Sequence, residues 1–479
     1  MSETVPIVGH AQLLQTLEAH GQAHLLRFYD QLSAPQRERL VAQLQQLDWA
    51  YLDELIEAYV RNKPNLSAPE PIEPAPYYPV TPKGELVARY ARARERGAQL
   101  IREGAVAAFT VAGGQGTRLG WDDPKGTFPA TPVSRKPLFQ LFAEQLLRTA
   151  DLFGQVLPWY VMTSTTNHAV TQDFFEAHDY FGLGRENVKL FSQGMMPSIG
   201  FDGKLLLADK GELALNPNGH GGALSALEAS GALAEMVARG VRHISYFQVD
   251  NPNVRCIDPL FIGLHDLEGS EISSKMLRKA SPKERVGNFC KAGGKLCVIE
   301  YSDMPDALAH ARDEAGHLKF GAGSIAIHVI AVDFVRRLTE GKGDRLELPF
   351  HRAEKAVPHI DPYTGEYVYP EAPNAVKLER FIFDALPLAR HSIILETDRV
   401  EEFAPIKNAE GPDSPETSQK LQIERAARWL ERQGVRVPRT ETGAVDAVIE
   451  ISPLTALSAE ELAQRDLPQE VARGQTLLL

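Results

Sequence analysis

Short apolar runs that alternate with helical patterns constrain this 479-residue chain more than any other feature of its sequence. Between the runs, helical periodicity is clear at 138–152 and 223–239. Apolar runs of this length, bounded by glycine or polar residues, predict strands buried on both faces of a sheet. The alternation predicts an α/β domain with a mostly parallel sheet. The runs lie at 106–111, 159–162, 243–249, 295–300, 324–329 and 392–395.

Regions of a different character flank this α/β domain. Residues 1–60 show helical periodicity, and prolines then recur from Pro64 to Pro82, which predicts an extended tether. Near the C-terminus one helical pattern, 419–433, precedes a strand-like run, 447–451. We therefore expect three regions: a helical N-terminal region with its tether at 1–84, the α/β domain at 85–400, and a small α+β domain at 401–479.

Charge and composition exclude several classes of partner. The formal net charge is −12 and no long cluster of lysine or arginine occurs, which argues against nucleic acid or an anionic membrane. The three cysteines, Cys256, Cys290 and Cys297, fit no zinc signature, so reduced and mostly buried thiols are expected. The first ten residues carry no secretory signal pattern, and no apolar run approaches the ~20 residues that cross a bilayer. We therefore expect a cytoplasmic protein.

A glycine-rich segment directly follows the first apolar run and carries the strongest functional signal. Gly113, Gly114 and Gly116 lack a Cβ atom, so their backbone N–H groups can approach an anion closely. Arg118 adds a guanidinium whose fixed donors suit phosphate oxygens, and Lys125 follows a few residues later. The segment therefore predicts a phosphate-binding loop with two cations, and a glycine turn without a ligand is the plainer alternative.

Two familiar phosphate-binding loops fit this segment poorly. A Walker A loop ends in Gly-Lys-Ser/Thr, which the segment lacks. The dinucleotide fingerprint Gly-x-Gly-x-x-Gly needs its third glycine one position before Gly120. It also needs an acidic residue about twenty positions further on, where this chain has Ser-Arg-Lys at 134–136. A nicotinamide-dependent oxidoreductase is therefore an alternative that the pattern disfavours.

A series of motifs resembles the eukaryotic-type UDP-sugar pyrophosphorylases, especially their UDP-N-acetylglucosamine branch. The signature of that family is Leu-x-Gly-Gly-x-Gly-Thr-x-Leu-Gly followed by Pro-Lys-Gly. Residues 112–120 and 124–126 match it, apart from Ala112 and the position before it. Further family-like strings follow in order, and the resemblance covers residues 85–455. These strings lie at 158–164, 180–184, 193–197, 201–204, 249–251, 298–302, 377–384 and 403–409.

The resemblance implies a uridylyltransferase that joins UTP to a sugar 1-phosphate and releases pyrophosphate. Families of this kind have a Rossmann-like nucleotidyltransferase core between a helical N-terminal region and a small C-terminal domain, which agrees with the division above. The reacting groups are all anions, so the reaction needs positioning and charge neutralisation rather than a protein nucleophile. This requirement selects arginine, lysine, backbone N–H groups and a divalent cation.

By resemblance, residues spread along the chain surround the nucleotide. Arg118, Lys125 and Lys407 would face the triphosphate as catalytic cations. Gln193 resembles the family glutamine that reads the uracil edge, since an amide satisfies both a ring N–H and a carbonyl. A surface ion pair, a turn residue or a lysine that reaches solvent is the plainer alternative in each case. The other expected nucleotide-binding residues are Ala112, Gly113, Gly114, Gly116, Gly219 and Lys377.

Candidate metal-binding and sugar-binding residues lie further along the chain. Asp250 follows an apolar run, and ligands bind at the carboxyl ends of parallel strands in such sheets. A carboxylate there suits Mg²⁺, or Mn²⁺, that bridges phosphates, whereas a loop-capping aspartate is the plainer alternative. By resemblance, Glu300 and Tyr301 contact sugar hydroxyls, and His220 and Ser324 occupy positions that face the sugar.

The residues at two of these positions do not decide which sugar 1-phosphate is the substrate. UDP-N-acetylglucosamine pyrophosphorylases carry asparagine where this chain has His220 and Ser324, whereas UDP-glucose pyrophosphorylases have a Gly-His-Gly string resembling 219–221. The rest of the chain looks closer to the N-acetylglucosamine enzymes. N-acetylglucosamine 1-phosphate is therefore the favoured substrate and glucose 1-phosphate the alternative. A binding protein that senses UDP-sugars without turnover would keep the glycines but lack the phosphate-facing cations.

Overall fold

The structure is a computed structural model that describes residues 9–64, 70–343 and 345–479. Within these ranges the chain forms two compact units, each assembled from three segments. Unit 1 contains the described parts of Met1–Ser67, Gly194–Gly222 and Asp344–Ile382, and unit 2 contains those of Ala68–Gln193, Ala223–Gly343 and Phe383–Leu479.

Helices and strands alternate along most of the described chain. The helices are α1 (His10–Ala19), α2 (Ala34–Gln45), α3 (Trp49–Leu55), α4 (Glu85–Arg102), α5 (Leu138–Phe153), α6 (His168–Ala177), α7 (Ala223–Ala229), α8 (Ala232–Ala238), α9 (Pro259–Leu267), α10 (Asp306–His310), α11 (Val332–Thr339), α12 (Arg399–Glu402), α13 (Pro415–Arg432) and α14 (Ala459–Leu462). The strands are β1 (Ile72–Pro74), β2 (Val106–Val111), β3 (Trp159–Thr163), β4 (Val188–Ser192), β5 (Met195–Pro197), β6 (Ile199–Gly200), β7 (Leu207–Asp209), β8 (Glu212–Leu213), β9 (Leu215–Pro217), β10 (His243–Gln248), β11 (Ile272–Arg278), β12 (Asn288–Ala292), β13 (Lys295–Ile299), β14 (Ala322–Ala331), β15 (His351–Lys355), β16 (His359–Ile360), β17 (Tyr367–Val368), β18 (Ala375–Glu379), β19 (Ile394–Glu396), β20 (Val448–Glu450) and β21 (Thr476–Leu478).

Unit 2 is built on one large sheet in which the strand order reverses beside the first buried strand. The path runs β1-β12-β14-β10-β2-β3-β4, with β11 and β19 on the far side of β14 and β13 against β12. β2, β3, β4 and β10 are parallel, so their carboxyl ends lie at one edge. After β4 the chain returns to place β10 on the other side of β2. Such a reversal leaves a crevice outside the carboxyl ends of β2 and β10.

The predicted α/β fold is confirmed, but the sheet is mixed rather than mostly parallel. β14 is antiparallel to both β10 and β11, and β12 pairs antiparallel with β13. β12 and β13 are joined only by Gly293 and Gly294, both with positive φ, and so short a connection makes a hairpin rather than a crossover. The apolar patterns of 295–300 and 324–329 predicted strands correctly but could not give their direction. β14 is mostly buried as expected, whereas in β13 only Ile299 is buried, because this strand lies at the edge beside β12.

Part of the predicted tether forms a strand, and one segment of the predicted α/β domain belongs to unit 1. Within the proline-rich stretch, Ile72–Pro74 is an edge strand paired with β12, while Pro69 lies outside the described residues. A proline is tolerated in such an edge strand because one side of it makes no ladder bonds. Residues 194–222 group with the N-terminal helices rather than with the rest of 85–400. The boundaries after residues 84 and 400 stay predictions.

Close helix packing and aromatic residues form the core of unit 2. A Cβ atom on Gly97 of α4 would lie 1.8 Å from the carbonyl oxygen of Pro259, and one on Gly263 of α9 would lie 1.7 Å from that of Ala93. The two glycines therefore let the backbones of α4 and α9 touch. Phe142 of α5 is fully buried against the sheet. These contacts hold the helices beside the parallel strands.

Unit 1 has its own apolar core, formed by the N-terminal helices and short strands. Leu17, Leu40 and Leu44 share one buried cluster with Ile199 and Val376, all with 0% exposure. α2 begins at Ser33 with the capping box that its Ser-x-x-Gln sequence predicts. The sequence signals of the N-terminal helices are thus local, whereas their strand partners come from distant segments.

A buried ion triad holds β11 of the unit 2 sheet against the segments that pack beside it. Lys275 of β11 is 1% exposed, and its Nζ lies 2.6 Å from Oδ2 of Asp258 and 2.5 Å from Oε2 of Glu402. Burial alone would raise the pKa of Asp258, but the charges of Lys275 and Arg255, together with the hydrogen bonds from Lys275 and the Leu260 N–H, hold this pKa below its usual range. The triad ties the start of α9 and the end of α12 to β11.

Replacing Lys275 with methionine should destabilise unit 2 strongly. The substitution leaves two carboxylates buried without their cation, and breaking a buried pair in this way costs roughly 3–5 kcal/mol. Urea unfolding followed by fluorescence measures the loss.

Lys420→Met is the matched control, because Lys420 forms an exposed pair with Glu416 at 70% side-chain exposure. Exposed pairs are worth about 0–1 kcal/mol. Equal losses in the two variants would contradict the role of the triad.

Candidate functional site

The glycine-rich loop after β2 is a compact backbone structure that folds back on itself. The N–H of Ala112, which is buried, donates to the carbonyl of Met162 at 2.7 Å. Further along, the N–H of Lys125 donates to the carbonyl of Gly114 at 3.2 Å, and the N–H of Gly116 to that of Asp123 at 3.1 Å. The loop therefore returns beside its own start, as a rigid rim at the carboxyl end of β2.

Asn167 holds this rim from beneath. Its Oδ1 accepts the N–H of Ser164 at 2.8 Å, and its Nδ2 donates to the carbonyls of Ala112 at 3.1 Å and Gly114 at 3.5 Å. The side chain is 1% exposed. Asn167 was not among the residues chosen from the sequence, because a single asparagine after a strand carries no signal of such a distant contact.

Some positions of the loop require glycine because a side chain there would collide with neighbouring residues. This requirement is separate from any close approach of a ligand. A Cβ atom on Gly116 would lie 2.7 Å from Cβ of Trp121, and one on Gly126 would lie 2.1 Å from the ring of Phe139. None of Gly113, Gly114 and Gly116 has a positive φ. Gly116 and Gly126 thus serve close packing, whereas Gly120 at the end of the 3₁₀ turn has a left-handed backbone with φ of 67°.

Gln193 lies directly against the first glycine of the loop. A Cβ on Gly113 would lie 2.7 Å from Oε1 of Gln193. Gln193 follows β4, is 7% exposed, and donates its backbone N–H to the carbonyl of Thr163 at 2.8 Å. The side-chain amide predicted to read a base is therefore beside the loop predicted to hold phosphates.

Two cations on the loop have no carboxylate partner among the described residues. Arg118 is exposed in the 3₁₀ turn Thr117–Leu119, and Lys125 is half-buried at the start of the turn Lys125–Thr127. Neither side chain forms an ion pair within 4 Å in the described parts of the chain. An anion at the loop would therefore find two uncompensated positive charges, which is what phosphate binding requires.

Asp250 and Lys407 are brought together after β10 by backbone contacts. The N–H of Ile406 donates to the carbonyl of Asp250 at 2.8 Å. The Nδ2 of Asn251 donates to the carbonyl of Glu402 at 2.7 Å, and its Oδ1 accepts the N–H of Ala404 at 2.9 Å. The Nζ of Lys407 lies 6.0 Å from the ring centre of Phe403. The half-buried Asp250 and Lys407 thus lie on neighbouring segments at the carboxyl end of β10.

The donor set at Asp250 fits a divalent cation that takes most of its ligands from a substrate. The described residues contain no group of three or more His, Cys, Asp or Glu side chains that could hold a metal ion alone. Mg²⁺ is commonly bound by one or two carboxylates together with phosphate oxygens and water. Asp250 makes no side-chain hydrogen bond or ion pair within those same ranges, so its oxygens are available.

Residues predicted for the sugar lie near the amino end of β14. Because β14 runs antiparallel to β10, this end lies at the edge where β10 finishes. The N–H of Ser324 donates to the carbonyl of Gly287 at 2.8 Å, and a Cβ on Gly287 would lie 3.2 Å from Oε1 of Glu300. Tyr301 is 46% exposed next to it. Gly287, which sequence reasoning missed, has no room for a Cβ atom, because Cγ1 of Val298 would lie only 2.6 Å from it.

In unit 1, Gly219, His220 and Lys377 lie around the end of β18. A Cβ on Gly219 would lie 2.4 Å from the carbonyl oxygen of Arg380, and the N–H of Gly221 donates to that same oxygen at 2.8 Å. Arg380 itself is fully buried. Lys377 is half-buried, and burial lowers the pKa of its ammonium. Arg380, which the sequence did not single out, thus fixes the loop that carries His220.

His220 is held as a neutral imidazole with a defined tautomer. Its ring stacks on Phe381 with centres 5.1 Å apart, and its Nδ1 accepts the N–H of Ile382 at 3.2 Å. Removal from water, with repulsion from His351 as a second cause, lowers its pKa to about 4. At neutral pH the proton therefore sits on Nε2, which makes His220 a hydrogen-bond donor there.

The structure thus brings the unit 2 candidates to one edge of one sheet. The glycine loop, Gln193, Asp250 and Lys407 follow β2, β4, β10 and β19, which are strands of that sheet. Across the described ranges, helices long and apolar enough to cross a membrane do not occur.

Comparison with known proteins identifies the family. A family model described as UTP–glucose-1-phosphate uridylyltransferase matches residues 53–438. The chain belongs to this family. The UDP-N-acetylhexosamine pyrophosphorylase-like protein 1 of Xenopus tropicalis is 37% identical, over 93% of this chain and 92% of the relative. The UDP-N-acetylglucosamine pyrophosphorylase of Saccharomyces cerevisiae is 35% identical, over 93% and 94%.

A solved structure agrees with this assignment. The uridine diphosphate N-acetylglucosamine pyrophosphorylase of Trypanosoma brucei, in complex with an inhibitor, is similar with a TM-score of 0.80. The two chains are 27% identical, and the match covers 100% of this chain and 99% of that one. The resemblance drawn from the motif series and the predicted Rossmann-like class are therefore confirmed, while the role of each site residue stays a prediction.

Gly113→Ala should weaken the binding of UTP to this member of the uridylyltransferase family. The new methyl group would overlap Oε1 of Gln193, so the amide must turn away from its place beside the loop. Loss of one such hydrogen bond is worth ~1 kcal/mol, and the dissociation constant should rise roughly 5-fold. Isothermal titration with UTP measures it.

Gly9→Ala is the control, because a Cβ on Gly9 meets nothing within 4 Å. An unchanged UTP affinity in Gly113→Ala would contradict the placement of Gln193 at the base.

Proposed function

We propose that this protein transfers the uridylyl group of UTP to a sugar 1-phosphate, N-acetylglucosamine 1-phosphate by preference, and releases pyrophosphate. The observation that carries the proposal is the glycine loop with Arg118 and Lys125, which form no ion pair among the described residues, at the sheet edge that also carries Asp250 and Lys407. The names of the full-length relatives support N-acetylglucosamine as the sugar.

In the proposed reaction the sugar phosphate oxygen attacks the α-phosphorus of UTP in line with the leaving pyrophosphate. Gln193 would orient the uracil, and the backbone N–H groups of Gly113 and Gly114 would hold phosphate oxygens in place, whereas the Gly116 N–H donates within the loop to the carbonyl of Asp123. Such positioning removes much of the entropic cost of bringing two bound anions together. Glu300, Tyr301 and Ser324 would hold the sugar hydroxyls.

Charge neutralisation would supply most of the remaining rate enhancement. Arg118, Lys125 and Lys407 would stabilise the negative charge that develops on the phosphates in the transition state. Mg²⁺ or Mn²⁺, held by Asp250 and the phosphates, would withdraw charge from the phosphoryl oxygens when bound. By the family resemblance, Lys377 would add a positive charge at the nucleotide, and Gly219 would let the nucleotide approach the backbone.

The cysteines favour a cytoplasmic location for the enzyme. Cys290 and Cys297 are opposite each other in the β12–β13 pair, yet both are free thiols, as is Cys256. Free thiols at such positions suit a reducing compartment, which supports a cytoplasmic enzyme. The partners are UTP and the sugar 1-phosphate.

Glucose 1-phosphate is the second candidate substrate, and His220 is the observation that favours it. A neutral imidazole with Nε2–H is a single donor, whereas the asparagine expected in the N-acetylglucosamine branch offers both a donor and an acceptor. The family description also names glucose 1-phosphate.

A panel of sugar phosphates tests the function directly. The protein is mixed with UTP, Mg²⁺ and N-acetylglucosamine 1-phosphate, N-acetylgalactosamine 1-phosphate or glucose 1-phosphate, and pyrophosphate release is measured. We expect turnover with the first and a lower kcat/KM with glucose 1-phosphate. No release with any hexose 1-phosphate would sink the proposal.

Arg118→Ala should lower kcat by at least ~10²-fold in that assay, because it removes a preorganised donor to developing phosphate charge. Arg436→Ala, an exposed arginine paired with Glu470, is the control and should leave kcat unchanged. A normal rate in Arg118→Ala would refute its catalytic role.

His220→Asn should change the choice of sugar. One neutral hydrogen bond is worth ~1 kcal/mol, so the ratio of kcat/KM for N-acetylglucosamine 1-phosphate to that for glucose 1-phosphate should rise roughly 5-fold. Steady-state kinetics with both substrates at pH 7.5 give the ratio. An unchanged ratio would mean that His220 does not contact the sugar.

A further inference from the structure

The segment that carries Lys407 is held from two sides by backbone contacts. On one side, Ile406 donates its N–H to the carbonyl of Asp250 at 2.8 Å. On the other side, the N–H groups of Lys407 and Asn408 both donate to the carbonyl of Asp413, at 2.6 Å and 3.1 Å. The direction in which the Lys407 side chain leaves the backbone therefore depends on where the Asp413 carbonyl points.

Asp413 reaches this geometry through an unusual backbone conformation. Its φ is +56°, in the left-handed region that few residues other than glycine adopt, although aspartate and asparagine tolerate it better than most. The next residue, Ser414, caps α13 and accepts the N–H of Thr417. The turn therefore joins the Lys407 loop to a fixed helix start.

A side-chain contact closes the same turn. The Nδ2 of Asn408 donates to the carbonyl of Pro412 at 2.8 Å. Residues 407 to 413 thus form a closed loop in which two consecutive carbonyls, those of Pro412 and Asp413, accept from Lys407 and Asn408. Rotation of the Asp413 backbone would break two of these three bonds.

The Asp413 carboxylate does not account for this arrangement. It makes no side-chain hydrogen bond or ion pair in the described ranges. Burial raises the pKa of its carboxyl, the charge of Lys407 lowers this pKa in part, and repulsion from Asp250 raises it further. Its surroundings therefore disfavour the charged form. Arg399, which is also nearby, is already paired with Glu284 at 2.6 Å.

We propose that Asp413 is a positioning residue for the uridylyl transfer, which sets the direction of Lys407 through its left-handed backbone rather than through its carboxylate. The inference rests on the proposed function, because it takes the Lys407 ammonium as a phosphate-facing cation. It assigns to the turn 407–413 the task of holding that cation at a fixed place beside Asp250.

Three variants of Asp413 separate backbone from side chain. Asp413→Gly and Asp413→Asn keep a residue that accepts a positive φ and remove the charge, whereas Asp413→Val brings a β-branched side chain that resists this conformation. We expect Gly and Asn to retain kcat within about 3-fold and Val to lower it on the order of 10-fold or more, with KM for UTP little changed.

Arg135→Val is the matched control for backbone strain. Arg135 is exposed and also has a positive φ of 56°, but it lies in another loop of unit 2. The same substitution there imposes a comparable conformational penalty without touching Lys407. We expect a similar change in thermal midpoint for the two valine variants and a fall in kcat only for Asp413→Val.

Hydrogen–deuterium exchange supplies a readout that does not need activity. In the full-length protein without substrate, the amides of Lys407 and Asn408 should exchange faster in Asp413→Val and as slowly as in the wild type in Asp413→Asn. If the enzyme assay fails with every sugar, the proposed function is wrong but this exchange result still decides the role of Asp413. An equal fall of kcat in Asn and Val, an equal fall in Arg135→Val, or unchanged exchange in Asp413→Val would overturn the inference.

Discussion

The parallel register of β2, β3, β4 and β10 is the constraint on which the rest of the site depends. Hydrogen bonding in register brings the carboxyl ends of these strands to one edge, so the segments that follow them must meet there. The glycine loop, Gln193 and Asp250 are neighbours for this reason alone, although they are far apart in sequence. The reversal of strand order between β2 and β10 then opens the crevice that a ligand can enter.

Buried polar contacts at this edge add rigidity to the apolar packing of the loop. Asn167 satisfies the loop carbonyls from below, and Asn251 clamps the segment that leads to Lys407. Both asparagines are 4% exposed or less, so each lost bond would leave a buried polar group without water. A site that neutralises phosphate charge gains from such fixed groups, because they need no reorganisation during the reaction.

Local sequence patterns predicted the elements that depend on near neighbours. The run 106–111 is β2 without any shift of its ends, and the Ser33 capping box starts α2 as expected. α13 begins before the predicted residue 419, because Ser414 and Pro415 form a start signal that the apolar periodicity alone does not include. The glycine loop was also a local signal, since its residues lie within a few positions of one another.

Contacts between distant segments were beyond such reasoning. Nothing near Asn167, Gly287 or Arg380 in the sequence indicates their contacts, because Ala112 is 55 residues from Asn167, Glu300 is 13 from Gly287 and Gly221 is 159 from Arg380. The directions of β13 and β14 were missed for the same reason, since an apolar run has the same composition whichever way the strand runs. The grouping of residues 194–222 with the N-terminal helices likewise depends on an apolar core shared across the chain.

A crystal structure of the protein with bound UDP-N-acetylglucosamine would test the central claim most directly. The account predicts that the uracil lies against Gln193 and Gly113, with the diphosphate within hydrogen-bond distance of the backbone N–H groups of the glycine loop. A nucleotide bound elsewhere, with that loop and the Arg118 and Lys125 side chains facing open solvent, would contradict it.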